Sequence, residues 1–249
     1  MRVFCIANQK GGVGKTTTAV SLADAFAKTG ARTLLVDFDP QCNATSGLFS
    51  RFEEKLLSEH PLTTETREKA IVATSIPNLD ILPGSRNIAV IEVLARMDDG
   101  RLAQITETLR QIIDGYDYVF FDCPPSLGQL TQLALSVSEE ILIPMQCDYY
   151  SMIGLAQQMD EVIKLMKKRQ DNALNFGGVV LTMYDAGLEL TYEAEQEIRD
   201  FCGDIALTTV IPRDAVFLEA PSHGIPILEY APRCRGARAY TELCMELAE

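Results

Sequence analysis

Only two histidines occur in this 249-residue chain, His60 and His223, and their wide separation argues against a histidine-built catalytic or metal site. The seven cysteines (Cys5, Cys42, Cys123, Cys147, Cys202, Cys234, Cys244) show no C-x-x-C spacing. That pattern predicts reduced thiols in a cytoplasmic protein, not a disulfide framework or a zinc site. Long apolar runs are missing: stretches such as Ile141–Pro144 and Gly177–Leu181 are far too short to span a bilayer. The opening "MRVFCIANQ" lacks both an extended apolar segment and a cleavage motif, so it does not read as a signal peptide. Positive charge is scarce as well. With 22 basic against 35 acidic residues, the net charge of −13 repels DNA and anionic lipid at long range. Any nucleic-acid contact must come from a local basic patch.

Apolar residues, at 47%, are plentiful enough for a sizeable core. Short β-branched runs alternate with longer amphipathic stretches. Strands are predicted at Val3–Ala7, Thr33–Asp37, Leu79–Leu82, Tyr118–Asp122, Glu140–Pro144, Gly178–Thr182 and Ile205–Ile211. Helices are predicted at Lys15–Thr29, Gly100–Ile113, Leu127–Val137, Ser151–Arg169, Leu190–Cys202 and Gly236–Glu249. Most of the strands are apolar on both faces, as parallel strands under helices are. The alternation predicts an α/β fold: a doubly wound, mostly parallel sheet with helices on both faces. No linker divides the chain, so one domain over 1–249 is expected. Ser50–Pro77 is polar and weakly periodic, and reads as a surface connection with one or two helices.

In such sheets ligands sit beyond the carboxyl ends of the strands. Three motifs fall there: Gln9–Thr17, Asp37–Gln41 and Asp122–Ser126. In "QKGGVGKTTT", Gln9 stands where a G-x-x-x-x-G-K-[ST] loop has its first glycine, and an additional lysine, Lys10, precedes the expected Lys15. Gly11, Gly12 and Gly14 let the backbone, Val13 included, aim successive N–H groups at phosphate oxygens. The helix starting near Lys15 adds its positive end. Lys15 stands where such a lysine reaches the β- and γ-phosphates, and Thr16 where a hydroxyl ligates Mg²⁺. In "LLVDFDPQ", the i, i+2 spacing points Asp37 and Asp39 the same way. "YVFFDCPPS" is an apolar strand ending in Asp122, placed to hold an Mg²⁺-bound water.

On "KGGVGKTT" the chain resembles the deviant Walker A ATPases of the ParA/MinD type, and as a whole it is similar to the ParA/Soj-type partition ATPases. The likeness continues through "LLVDFDPQCNATSGL", "YDYVFFDCPPSLGQLT", "IPMQCDYYSMIGL", "VVLTMYD", "TVIPRDAVFLEAPSHGIPI" and "RGARAY". It implies ATP and Mg²⁺ as cofactors, bound between two copies of the chain. Lys10 then reaches the partner subunit's phosphates and, with Lys15 and Asp39, serves catalysis. A cation offered from the opposite side acts as an arginine finger does. The nucleotide is held by residues 10–17: Lys10, Gly11, Gly12, Val13, Gly14, Lys15, Thr16 and Thr17. The metal is held by Thr16 and, through water, by Asp122 and Asp39, with Asp39 orienting the attacking water. Met183 and Pro212 pack on the adenine. The resemblance further implies slow turnover stimulated by a ParB-like partner, and chromosomal or plasmid DNA as cargo.

Gly187, Val216 and Ile225 stand where the family carries basic residues, which weakens the expectation of DNA binding. Basic groups remain at Lys164, Lys167, Lys168 and Arg169, and at Arg233, Arg235 and Arg238. The alternative expectation is a relative that positions a protein cargo, or docks another adaptor, without standard DNA binding. Membrane binding through the tail "YTELCMELAE" is not expected, because its charges are acidic. The location expected is the cytoplasm, with nucleoid association if DNA binding is kept.

Overall fold

The computed structural model describes residues 1–49, 62, 71–91, 99–148, 155–156, 159–164, 167 and 174–249. His60, Lys168 and Arg169 lie outside these residues, as does much of 50–78. Of the helix expected at Ser151–Arg169, residues 155–156, 159–164 and 167 are described and helical.

The strands are β1 (Arg2–Ile6), β2 (Thr33–Asp37), β3 (Val72–Ala73), β4 (Leu79–Leu82), β5 (Tyr118–Asp122), β6 (Glu140–Gln146), β7 (Asn175–Tyr184) and β8 (Ala206–Pro212). They form one eight-stranded sheet in the order β3-β4-β2-β5-β1-β6-β7-β8. Every pairing is parallel except β3 with β4. The helices include α1 (Lys15–Lys28), α2 (Asn43–Ser46), α3 (Asp99–Ile113), α4 (Gln129–Val137), α5 (Glu189–Cys202), α6 (Val216–Glu219), α7 (Ile227–Tyr230) and α8 (Arg235–Ala248).

Strand alternation divides the core in two. Val3, Cys5, Leu34, Val36, Val119 and Phe121 face a layer that includes Leu109 of α3, Leu133 of α4 and Ile198 of α5. Phe4, Ile6, Leu35 and Phe120 face the opposite layer, built by Leu22 and Phe26 of α1 and Tyr240 and Leu243 of α8. The rings of Phe4 and Phe120 stack with centroids 5.2 Å apart.

Two boundaries differ from the sequence reading. The stretch Ser50–Pro77, expected to be a surface connection, includes β3, an antiparallel edge strand too short to show a period. Strand β7 starts at Asn175, three residues before Gly178, whose φ is +143 and where a Cβ would meet Leu207 Cγ at 2.5 Å. Gly178, expected to open the strand, is instead a point of close approach within a longer one. Both sheet margins are blunted. β3 is two residues long, and Glu246 of α8 accepts the N–H groups of Thr208 (2.5 Å) and Thr209 (2.9 Å) on β8.

Helix α1 carries a buried carboxylate. Asp24 is wholly inaccessible, its oxygens have no hydrogen-bond partner among the described residues, and Lys28, 4.0 Å away, also pairs with Glu229 of α7. Burial pushes its pKa up to about 7, Lys28 opposes that rise, and Glu229 adds to it. A carboxyl raised on folding contributes stability at low pH that is lost as pH climbs through the folded value. Asp24→Asn should therefore raise the melting temperature at pH 8 by about 4 °C or more, and the difference from wild type should vanish by about pH 4. Thermal melts across that range check it.

Candidate nucleotide site

The register of the central strands sets the site. Asp122 at the end of β5 pairs with Ile6 of β1 on one side and with Asp37 of β2 on the other. The loop after β1, the turn after β2 and the exit of β5 therefore share one edge of the sheet.

Helix α1 begins directly at Lys15, because Gly14 takes φ +90, a conformation that strains any side chain. The loop is stitched to β7: Thr182 donates its hydroxyl to the Val13 carbonyl at 2.9 Å. Gly11 and Gly12 are exposed, while Val13 is buried. Lys15 is buried and donates to the Lys10 carbonyl at 3.1 Å. Burial lowers its pKa, although Asp122 and Asp39 pull it back up. A desolvated ammonium on a single carbonyl suits an anion that arrives later. Lys10 extends away from Lys15 and meets Asp148 of its own chain at 2.9 and 3.2 Å.

The carboxylates differ sharply in surroundings. Asp37 is fully buried and accepts from Asp39 N (3.1 Å), Thr45 N (2.8 Å) and Thr45 Oγ1 (2.6 Å). Burial raises its pKa to about 6, while the Thr45 hydrogen bonds hold it down. Gly84 packs so closely that a Cβ there would meet the Asp37 carboxyl at 2.8 Å. Asp37 thus anchors α2 to the sheet. Asp39 is nearly buried and accepts from Gln41 N at 2.9 Å, which leaves capacity on its carboxylate. Asp122 is fully buried, and neither oxygen makes a hydrogen bond of ordinary geometry with the described residues. Burial first, then Asp37 and Asp39, push its pKa well up, while the Thr16 hydroxyl and Lys15 favour the ionised form. An orphaned buried carboxylate between a threonine hydroxyl and a lysine fits a hydrated divalent cation, whose charge would hold Asp122 ionised.

Beside Gly14 and Thr17 lies a pocket of about 160 Å³ whose lining includes Thr182, Met183, Pro212, Phe217 and Tyr240. The two residues expected on a base, Met183 and Pro212, are thus brought together, and Met183 reaches its place through a left-handed φ of +54. The sequence reading missed Phe217 and Tyr240. Phe217 turns inward from an apolar run, packs on Gly236, and lies edge-on to Tyr240 with centroids 5.8 Å apart. The Tyr240 hydroxyl is 2.9 Å from Thr18 Oγ1 of α1. A second cavity of about 310 Å³ lies on the other side of Phe217, between α1, α2 and residues 220–227. Its lining includes Ile225. Gly187 is exposed, Val216 packs against the core, and Arg233, Arg235 and Arg238 are exposed. Cys123 is buried with its Sγ 3.5 Å from that of Cys5, and His223 stacks on Tyr230. Among the described residues, no helix is long and apolar enough to cross a membrane.

Comparisons with known proteins agree with this geometry. A family profile described as an AAA domain matches residues 1–176. The sporulation initiation inhibitor protein Soj of Bacillus subtilis (strain 168) is 41% identical over 249 residues, covering 99% of this chain and 98% of that one. The chromosome-partitioning ATPase Soj of Treponema pallidum (strain Nichols) is 37% identical over 249 residues, covering 99% and 96%. Among solved structures, the cobyrinic acid a,c-diamide synthase of Mycobacterium smegmatis, with bound ADP and magnesium, superposes with a TM-score of 0.82 at 30% identity, covering 98% of this chain and 93% of that one. A glycine loop feeding Lys15 into α1 above the orphaned Asp122, on a chain that matches Soj nearly end to end, makes this protein a member of the Soj/ParA family of chromosome-partitioning ATPases.

Proposed function

We propose that this chain binds ATP and Mg²⁺ between two copies of itself and uses hydrolysis to release that dimer, acting as a positioning switch for chromosomal or plasmid DNA. The observation that carries the reading is the cluster of buried Lys15 and Asp122 with half-buried Thr16 beneath the glycine loop. Lys15 would neutralise the β- and γ-phosphates, with the loop N–H groups from Gly11 to Thr17 around them. Thr16 would ligate the metal, and Asp122 and Asp39 would hold its waters. The bound ion would supply charge neutralisation for phosphoryl transfer. Asp39 would orient the attacking water, and Lys10 would reach the partner's phosphates. Met183 and Pro212 would flank the adenine, with Phe217 and Tyr240 closing the pocket behind it. Residues 1–249 would work as one domain, in the cytoplasm, with a ParB-like protein stimulating slow turnover. The direct test is ATP-dependent dimerisation, measured as mass in solution, alongside phosphate release.

A second reading, a family member that positions a protein cargo, is favoured by one observation. Gly187 offers no side chain, Val216 packs inward, and Ile225 lines a cavity, so none of the three presents a cation. A salt titration of DNA binding in the presence of ATP separates the readings. If Arg233, Arg235 and Arg238 each meet a phosphate, affinity should fall roughly 40-fold between about 50 and 200 mM salt. Absence of binding at the low-salt end removes the DNA-carrier reading and leaves the protein-cargo one.

A further inference from the structure

Three consecutive residues at the front of the phosphate loop are tied to β6 and to the stretch that follows it. Asn8 donates its side-chain amide to the Pro144 carbonyl at 2.7 Å and accepts the Lys10 N–H at 2.8 Å. Gln9 donates to Glu161, on the helical residues 159–164. Lys10 pairs with both oxygens of Asp148. The loop backbone is thus fixed by its neighbours, while the Lys10 ammonium is held by a carboxylate 138 positions along the same chain. Lys15 adds a second hold by donating to the Lys10 carbonyl.

We propose that Asp148 is a positioning residue that retains Lys10 on its own subunit and so restrains dimer formation until ATP is in place. This rests on the reading of Lys10 as the group that crosses between subunits. An ammonium shared with Asp148 cannot also reach a phosphate of a second copy, so each subunit gives up this pair when the dimer closes. The phosphates of bound ATP provide the stronger and less hydrated acceptor that makes the exchange favourable. Arrival of those phosphates also draws Lys15 off the Lys10 carbonyl, which loosens the front of the loop at the same step. The pair is partly open to water, with side chains 35% and 26% exposed, so it is a weak restraint that a ligand can overcome.

The test measures dimer formation against ATP concentration in an Asp39→Ala background, where hydrolysis does not deplete the dimer. Asp148→Asn should lower the dimer dissociation constant about 5- to 25-fold, since two pairs are lost per dimer. Asp148→Glu should restore wild-type behaviour, and added salt should shrink the gap between Asp148→Asn and its parent. Asp204→Asn, an exposed substitution with the same change in net charge, should leave the constant unmoved. Thermal melts of the two Asp148 variants establish that both are folded. A dimer that forms in the parent but is unchanged or weakened by Asp148→Asn overturns the restraint while sparing the sandwich reading. A parent that stays monomeric with saturating ATP and Mg²⁺ overturns the sandwich reading and this proposal with it.

Discussion

Lys15→Ala is expected to lower phosphate release at least 100-fold and to remove measurable ATP binding at concentrations that saturate the wild type, on the order of the loss of a key transition-state donor. Lys15 is buried and donates to the Lys10 carbonyl, and burial has already drawn its pKa down. Its cost of desolvation is met before any ligand arrives, so its interaction with phosphate is made at full strength. The substitution also takes away one of the groups that favour ionised Asp122, which weakens the hold on a metal-bound water. The fold itself should not suffer. Removing a poorly compensated buried cation leaves the nucleotide-free melting temperature unchanged or raises it, as expected for a residue kept for function and not for stability. Fluorescent-nucleotide titration and a thermal melt together check both halves. A variant that still turns over ATP at more than a tenth of the wild-type rate would contradict the assignment.

Asp39→Ala should behave in the opposite way, accumulating an ATP-bound dimer of twice the monomer mass while turnover falls about 100- to 1,000-fold. The reasoning is local. Asp39 receives the Gln41 N–H, whereas the anchoring of α2 is done by Asp37 through Thr45. Truncating Asp39 therefore removes a carboxylate from the water's path and leaves the loop's attachment intact. Asp37→Ala is the instructive contrast, because it strands the N–H and hydroxyl of Thr45, the residue that also accepts the Gly84 N–H. Size-exclusion chromatography with light scattering, with ATP and Mg²⁺ present, reports the outcome. A monomer under saturating ATP would sink the switch reading.

Much of this was legible in the sequence because it is local. The loop glycines, Lys15, Thr16 and the strand-end aspartates each sit within a few residues of the element that presents them. The alternation of buried runs with amphipathic ones marks seven of the strands, and it placed the helices α1, α3, α4, α5 and α8 to within a few residues. What the sequence hid depends on distance along the chain or on local exceptions. Asp37 and Asp39 look equivalent at i, i+2. They separate because Thr45, brought round by a turn at Cys42 with φ +56, bonds one and not the other. The Lys10–Asp148 pair joins residues that no spacing rule connects. β3 is too short for a period, and the start of β7 at Asn175 precedes the apolar run that marks the strand. Phe217 belongs to a run that could face water or core, and Gly236, by lacking a side chain, decides for the core.

The blunted margins of the sheet carry a consequence for assembly. β3 presents two residues of backbone, and the Glu246 carboxylate occupies two N–H groups of the edge strand β8. Strand-to-strand extension from one molecule into the next is therefore disfavoured at both ends. Copies of this protein that associate must do so through loops and helix faces, so their contact surfaces can be remade with each nucleotide cycle without breaking a shared sheet.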